Sequence, residues 1–161
     1  MKQFHKGKLA WVLILSVAPG VLSADSIKFD FRDSKKVNNV VFLMDAPLES
    51  INGTATGVSG TVSFDPAKPA ATAGKIVLST SSLHVDNPVM KKHMLDEGWM
   101  HVSKFPTIEF VAGKMTNVKT SGTNITGTIA GKLTVKGVTK KVSVPVRLTY
   151  LKGMLIKRNR V

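Results

Sequence analysis

Cysteine is absent from the 161-residue chain, which excludes disulfide bridges, thiolate metal sites and a lipid-modified cysteine at the N-terminus. Stability therefore has to come from packing. Acidic residues are scarce, 10 Asp and Glu against 23 Lys and Arg, for a formal net charge of +13. That balance favours anionic partners such as a phospholipid surface or a pyrophosphate headgroup, and a solvated basic surface with no partner is the plain alternative. Aromatics make up only 6% of the chain. A nucleic-acid face wants them interleaved with cations, whereas the basic residues fall mostly at turn positions such as Lys35, Lys36, Lys140 and Lys141.

Catalytic motifs are missing as well. Ser79, Ser81 and Ser82 have His84 nearby, but no GxSxG elbow surrounds any serine. The glycines are scattered over strand-like stretches rather than gathered into a phosphate loop before a Lys-Ser/Thr pair. His84, Asp86, His93 and His101 are metal-ligand types, yet their spacing matches no compact motif. An enzyme is not what these residues describe, and no cofactor is required.

What is present begins with a basic head, Lys2, Lys6 and Lys8, followed by an apolar run from Leu9 to Leu22 and small residues at Ser23 and Ala24. This is the layout of a secretory leader. The run is shorter than the roughly 20 apolar residues that a membrane span needs. Residues 1–24 are thus expected to be removed, leaving a single domain over 25–161 in the periplasm or outside the cell. Loss of the three lysines leaves a net charge of about +10. Residues 151–160 carry four basic side chains and no acid, enough to draw the tail towards an anionic membrane.

Alternation of apolar and polar residues marks strands over Ile27–Phe31, Val37–Met44, Thr54–Phe64, from Ile76 onwards, and over Thr107–Val111, Met115–Lys119, Asn124–Val135 and Lys141–Tyr150. A hairpin is expected across Lys136-Gly137-Val138-Thr139, where the apolar register changes parity. Pro145 lacks a ladder donor and belongs on an edge or a bulge. One helix is expected, capped by Asn87 with Pro88 at its first position and stopped by Gly98 in a left-handed conformation. Met90 and Met94 share one of its faces. Short connections between successive strands make an antiparallel meander that closes into a barrel if there are enough strands.

Five pieces in order, Gly60-Thr61-Val62-Ser63-Phe64-Asp65, Ser82-Leu83, His93-Met94, Phe105-Pro106-Thr107-Ile108-Glu109-Phe110 and Gly131 through Lys140, make the chain resemble the YceI-like family of polyisoprenoid-binding periplasmic proteins. The resemblance implies an all-β, extended lipocalin-like antiparallel barrel with a short helix over its mouth, incomplete at the C-terminus. An open edge there would invite a homodimer. It implies an apolar channel for an isoprenoid quinone, a polyprenyl compound or a similar amphiphilic lipid. Phe42, Phe64, Phe105, Ile108 and Phe110 would line it, Met90, Met94 and Trp99 would form a soft wall, and His93 would hydrogen-bond a headgroup or quinone carbonyl. Ordinary core packing accounts for the same apolar residues, and a structural role accounts for His93.

Two functions follow from these readings: binding and transport or storage of such a lipid in the cell envelope, or a barrel that docks on an anionic envelope surface with no cargo. The leader yields the first prediction. Intact-mass analysis of the exported protein should give a chain beginning at Asp25, and a mass that retains Met1 to Ala24 would contradict it.

Overall fold

The computed structural model describes residues 26–35, 37–46 and 49–151. The expected leader and the basic residues from 152 onwards lie outside the described residues. The chain runs through β1 (Ile27–Asp30), β2 (Val40–Ala46), β3 (Glu49–Ala55), β4 (Val58–Phe64), β5 (Ala73–Ser79), β6 (Leu83–His84), α1 (Pro88–Leu95), β7 (Thr107–Ser121), β8 (Asn124–Val135) and β9 (Val138–Thr149). Six strands form one antiparallel sheet in the order β1-β4-β5-β7-β8-β9, and three form a second in the order β2-β3-β6. No ladder joins β1 to β9 among the described residues. The architecture is antiparallel sheet with one short helix.

The expected single run from Thr54 to Phe64 is two strands in two sheets. The break comes at Thr56-Gly57, where the Gly57 N–H donates to Ser82 Oγ (3.0 Å) and its carbonyl accepts from Ser79 N–H (2.9 Å). A side chain at Gly57 would press on Ser79 and Ser82, so the crossing between sheets needs a glycine. Conversely, the two expected strands between Thr107 and Lys119 are one continuous β7. Its register shifts between Ala112 and Met115 and again between Thr116 and Lys119, with Asn117 at φ 53°. Such bulges bend a strand without ending it.

The β8–β9 hairpin closes as expected. Lys136 (φ 48°) and Gly137 (φ 76°) form a two-residue turn with both φ positive, the twist that a tight antiparallel hairpin requires. Val135 and Val138 are then the hydrogen-bonded closing pair, so even-numbered residues of β9 bond to β8 and odd-numbered ones aim their backbone groups outward. The Tyr150 N–H donates to the Thr123 carbonyl (2.8 Å), in agreement with that parity. Pro145 is odd and sits on the outermost strand, where its missing N–H costs the sheet nothing.

Asn87 caps α1, its Oδ1 accepting from Val89 N–H (3.0 Å) and Met90 N–H (3.1 Å). Gly98 does not stop the helix. The helix ends at Leu95, and the chain continues through overlapping turns, Met100 N–H to the Met94 carbonyl and His101 N–H to the Asp96 carbonyl. The left-handed residue is His101 (φ 48°) rather than Gly98.

The core lies in two clusters. One joins Ile51, Ala55, Leu78, Leu83, Val85 and Met94 beneath the small sheet and the helix; the other joins Phe64, Met115, Ile125 and Ile129 on the large sheet. Gly60 sits between strands at φ 115°, and a Cβ there would collide with the Lys75 carbonyl oxygen. Gly98 has open space around its Cα. Gly60→Ala should therefore cost about 2–3 kcal/mol in denaturant unfolding, through strain at a special backbone site. Gly98→Ala should change little, and equal effects of the two would contradict this account.

Candidate functional site

The strands turn one continuous face inward. On β9 it carries Val142, Val144, Val146 and Leu148, which register opposite Gly131, Ile129, Gly127 and Ile125 of β8. The two glycines are spaces rather than gaps. A Cβ at Gly127 would meet the Met115 side chain at 2.5 Å, and one at Gly131 would meet the Phe110 ring at 2.5 Å. Side chains from β7 thus lie across β8 and thicken the concave lining.

The sheet curls until its two ends nearly meet. Tyr150, just beyond β9, brings its ring centroid within 5.8 Å of Phe64, which in turn lies 6.5 Å from Phe29 on β1. Between these ends lies an open cleft of about 420 Å³ lined by Phe29, Phe31, Val62, Phe64, Leu148 and Tyr150, with Asp30, Asn38, Arg147 and Thr149 at its border. Val144 remains 37% exposed on the inward face.

The expected lining residues divide between the two clusters. Met94 is buried in the upper cluster, and Phe42, Met90, Trp99 and Ile108 pack against it; Phe64 is buried in the lower one, with Phe110 against it. Ile108 and Phe110 are successive inward positions of β7, so the two clusters touch end to end. His93 is exposed and borders a second, shallow groove of about 400 Å³ with Ile51, Asn87, Val89, Met90 and Trp99. Phe105 belongs to neither cluster. It lies under the β8–β9 turn, where a Cβ on Gly137 would be 3.0 Å from its ring.

Two positioning residues have no counterpart among the expected ones. Thr80 is fully buried, its hydroxyl donating to the Phe105 carbonyl (2.8 Å) and its N–H to the Pro106 carbonyl (2.9 Å), which pins the segment carrying Phe105. Asp33 gathers its own loop, accepting from Lys35 N–H (2.9 Å), Val37 N–H (2.7 Å) and Asn38 N–H (3.0 Å). The Asn38 amide in turn donates to the Phe31 carbonyl (3.0 Å) at the cleft border. Those backbone donors, that of Lys35 foremost, hold the Asp33 carboxyl below its ordinary value.

The Ser82 hydroxyl donates to the Ser79 carbonyl (2.7 Å), and the Ser79 and Ser81 hydroxyls share a hydrogen bond (2.9 Å). His84 approaches Asp86 at 3.6 Å on the surface. No three His, Asp or Glu residues among the described ones come together as a metal set.

A family model described as the YceI-like domain matches residues 26–159. The chain belongs to the YceI-like family. A UPF0312 protein of Pseudomonas syringae pv. syringae (strain B728a) is 37% identical over 94 residues, covering 58% of this chain and 47% of the relative. One from Yersinia pestis (strain Pestoides F) is 32% identical over 97 residues, covering 60% and 48%. The chain spans about half the length of the curated relatives it matches. Among solved structures, Burkholderia cenocepacia BcnA superposes with a TM-score of 0.52 at 26% identity, over 67% of this chain and 64% of that one. The Campylobacter jejuni YCEI protein superposes with a TM-score of 0.51 at 21% identity, over 71% and 66%, a likeness of fold alone.

The Asp33 loop gives a pH prediction. Its carboxyl is depressed in the folded state, so its contribution is complete above the ordinary value near 3.8 and is lost as pH falls below that through the folded value. Amide exchange at Lys35, Val37 and Asn38 should stay slow at pH 5 and lose protection on acidification below that window. Asp33→Ala should lose the protection at every pH. Unchanged exchange in the variant would contradict the assignment.

Proposed function

We propose that this YceI-like domain is a non-catalytic carrier of an amphiphile with a long apolar tail, held on the concave face of the curled sheet. The observation that carries the reading is the open apolar cleft between the first and last strands of the large sheet, about 420 Å³ with six apolar or aromatic side chains in its wall. Accessible apolar surface of that shape wants an occupant. Removing each CH2-sized unit of a tail from water is worth about 0.8 kcal/mol, so a few isoprene units outweigh the cost of ordering them.

In this reading the cargo is an isoprenoid quinone or polyprenyl lipid. Phe64 and Phe110 form the lower wall with the cleft, and Ile108 leads upward to Phe42, Met90, Met94 and Trp99. The methionines adapt to an irregular chain. His93, exposed beside Trp99, hydrogen-bonds the headgroup or a quinone carbonyl, and Phe105 braces the rim. The extended lipocalin-like barrel is the architecture required, with the cleft as its remaining seam. The setting is the periplasm, reached through a leader over residues 1–24 ahead of one domain over 25–161.

Trp99 supplies the readout, because the other of the two tryptophans, Trp11, lies in the expected leader. Titration with a short-chain ubiquinone should quench Trp99 fluorescence in a saturable way. Leu148→Trp, which fills the cleft, should weaken uptake of a long-chain polyprenol by about tenfold or more while leaving the unfolding midpoint nearly unchanged. Folded protein that shows no saturable quenching and takes up neither ligand would end the carrier reading.

A further inference from the structure

The β8–β9 hairpin carries an unusual arrangement of charge. Lys132 and Lys141 register directly opposite each other, and the parity set by the Lys136-Gly137 turn makes theirs a non-hydrogen-bonded pair, the kind with the closer side chains. Like charges so placed oppose the ladder. Lys136 stands at the turn and Lys140 follows one residue after Thr139; all four are exposed. Among the described residues the one lysine–carboxylate pair within 4 Å is Lys75–Glu109 at 2.8 Å, so none of the four hairpin lysines is held in an ion pair, and the nearest carboxylate in register, Glu109 opposite Thr134, is engaged by Lys75.

The tip is also braced. Phe105 lies against Gly137, Thr80 fixes the Phe105 backbone, and the Lys104 ammonium sits 5.6 Å from the Phe105 ring centroid. Beside these cations Val138 is 59% exposed. A rigid tip with an exposed apolar residue, Lys136 and Lys140 beside it and Lys132 and Lys141 on the other face of the hairpin, is suited to end-on contact with a bilayer interface, where the ammonium groups meet phosphates and the apolar side chain enters the headgroup layer. Lysines act as compact point charges, which suits laterally mobile headgroups better than one fixed bidentate partner.

We propose that the β8–β9 hairpin tip, with Lys136 and Lys140 beside Val138, Lys132 and Lys141 on its other face and Lys104 over the Phe105 ring beneath the turn, is a docking surface for anionic phospholipid bilayers. The loop that follows α1 carries Phe105, so docking here sets the helix end of the molecule, with its Met90, His93 and Trp99 groove, towards the lipid. The surface stands on its own charge and geometry, independent of whether the cleft takes a cargo.

The test uses the full exported chain and vesicles of phosphatidylglycerol mixed with phosphatidylethanolamine, with pure phosphatidylcholine as the neutral comparison. One variant replaces Lys132, Lys140 and Lys141 by Gln and Lys136 by Asn, which tolerates the left-handed turn. A second replaces Lys28, Lys68, Lys114 and Lys119 by Gln and removes the same charge elsewhere. A third replaces Lys157, Arg158 and Arg160 by Gln. At about fivefold per lysine near an anionic surface, loss of the four hairpin lysines should weaken binding to anionic vesicles by roughly 600-fold, while the second variant loses much less. Unfolding midpoints are measured for all three, and relief of the Lys132–Lys141 opposition should keep the hairpin variant at least as stable as the parent. Equal losses in the first two variants, a loss confined to the tail variant, or binding to neutral vesicles as tight as to anionic ones would each overturn the proposal. Ubiquinone quenching of Trp99 in vesicle-free solution reports the cargo reading separately and should be unchanged in the hairpin variant.

Discussion

The contact of Tyr150 with Phe64, 5.8 Å between ring centroids, is the interaction on which the rest of the structure depends. It draws the far end of a six-stranded sheet back over its beginning and turns a face that would be flat into a concave one. Aromatic pairs of this kind add about 0.5–1.5 kcal/mol beyond the area they bury. Here the more important consequence is geometric. Without the curl, the inward residues of β1, β4 and β9 would share a sheet and never face one another, and the cleft would not exist.

The same curl explains why the core is divided. The small sheet and α1 cover one end of the concavity and seal Leu78, Leu83 and Met94. The other end is lined by the large sheet's own side chains, with Phe110 and Met115 laid across Gly131 and Gly127 to fill the space. A lining made by neighbours leaning over glycines leaves depth towards the axis. That depth is the basis for the proposed carrier role, and the lysine-bearing hairpin at the helix end is the proposed docking surface.

Much of this was legible in the residues. Period-two alternation fixed the inward face of β8 and β9, the Lys136-Gly137 turn was readable from its glycine and the parity change, and Asn87-Pro88 marked the helix start. The stop of the helix was not legible, because His101 rather than the nearer Gly98 takes the left-handed conformation, an outcome set by turns that tie Met100 to Met94 and His101 to Asp96. Nor was the sheet change at Gly57 read, although the apolar positions switch there from odd (Ile51, Ala55) to even (Val58, Val62, Phe64), because Gly53, Gly57 and Gly60 thin the pattern and the hydrogen bonds with Ser79 and Ser82 mark the crossing only in the fold. At the site, the sequence placed Phe42, Phe64, Met90, Met94, Trp99, Ile108 and Phe110 in one apolar set but could not divide them between two clusters, because the division follows from which sheet covers them. Tyr150 lay on the inward register, yet its partner, Phe64, comes from a strand more than eighty residues earlier, and no local pattern encodes that meeting.

The central claim is that the concave face encloses room for a lipid rather than a solid core. Native mass spectrometry of the protein, purified without detergent or organic solvent, tests it most directly. The account predicts a population carrying additional mass that organic extraction removes and that matches an isoprenoid quinone or polyprenyl lipid. A single species at the mass of the protein alone, unchanged after incubation with such lipids, would contradict it.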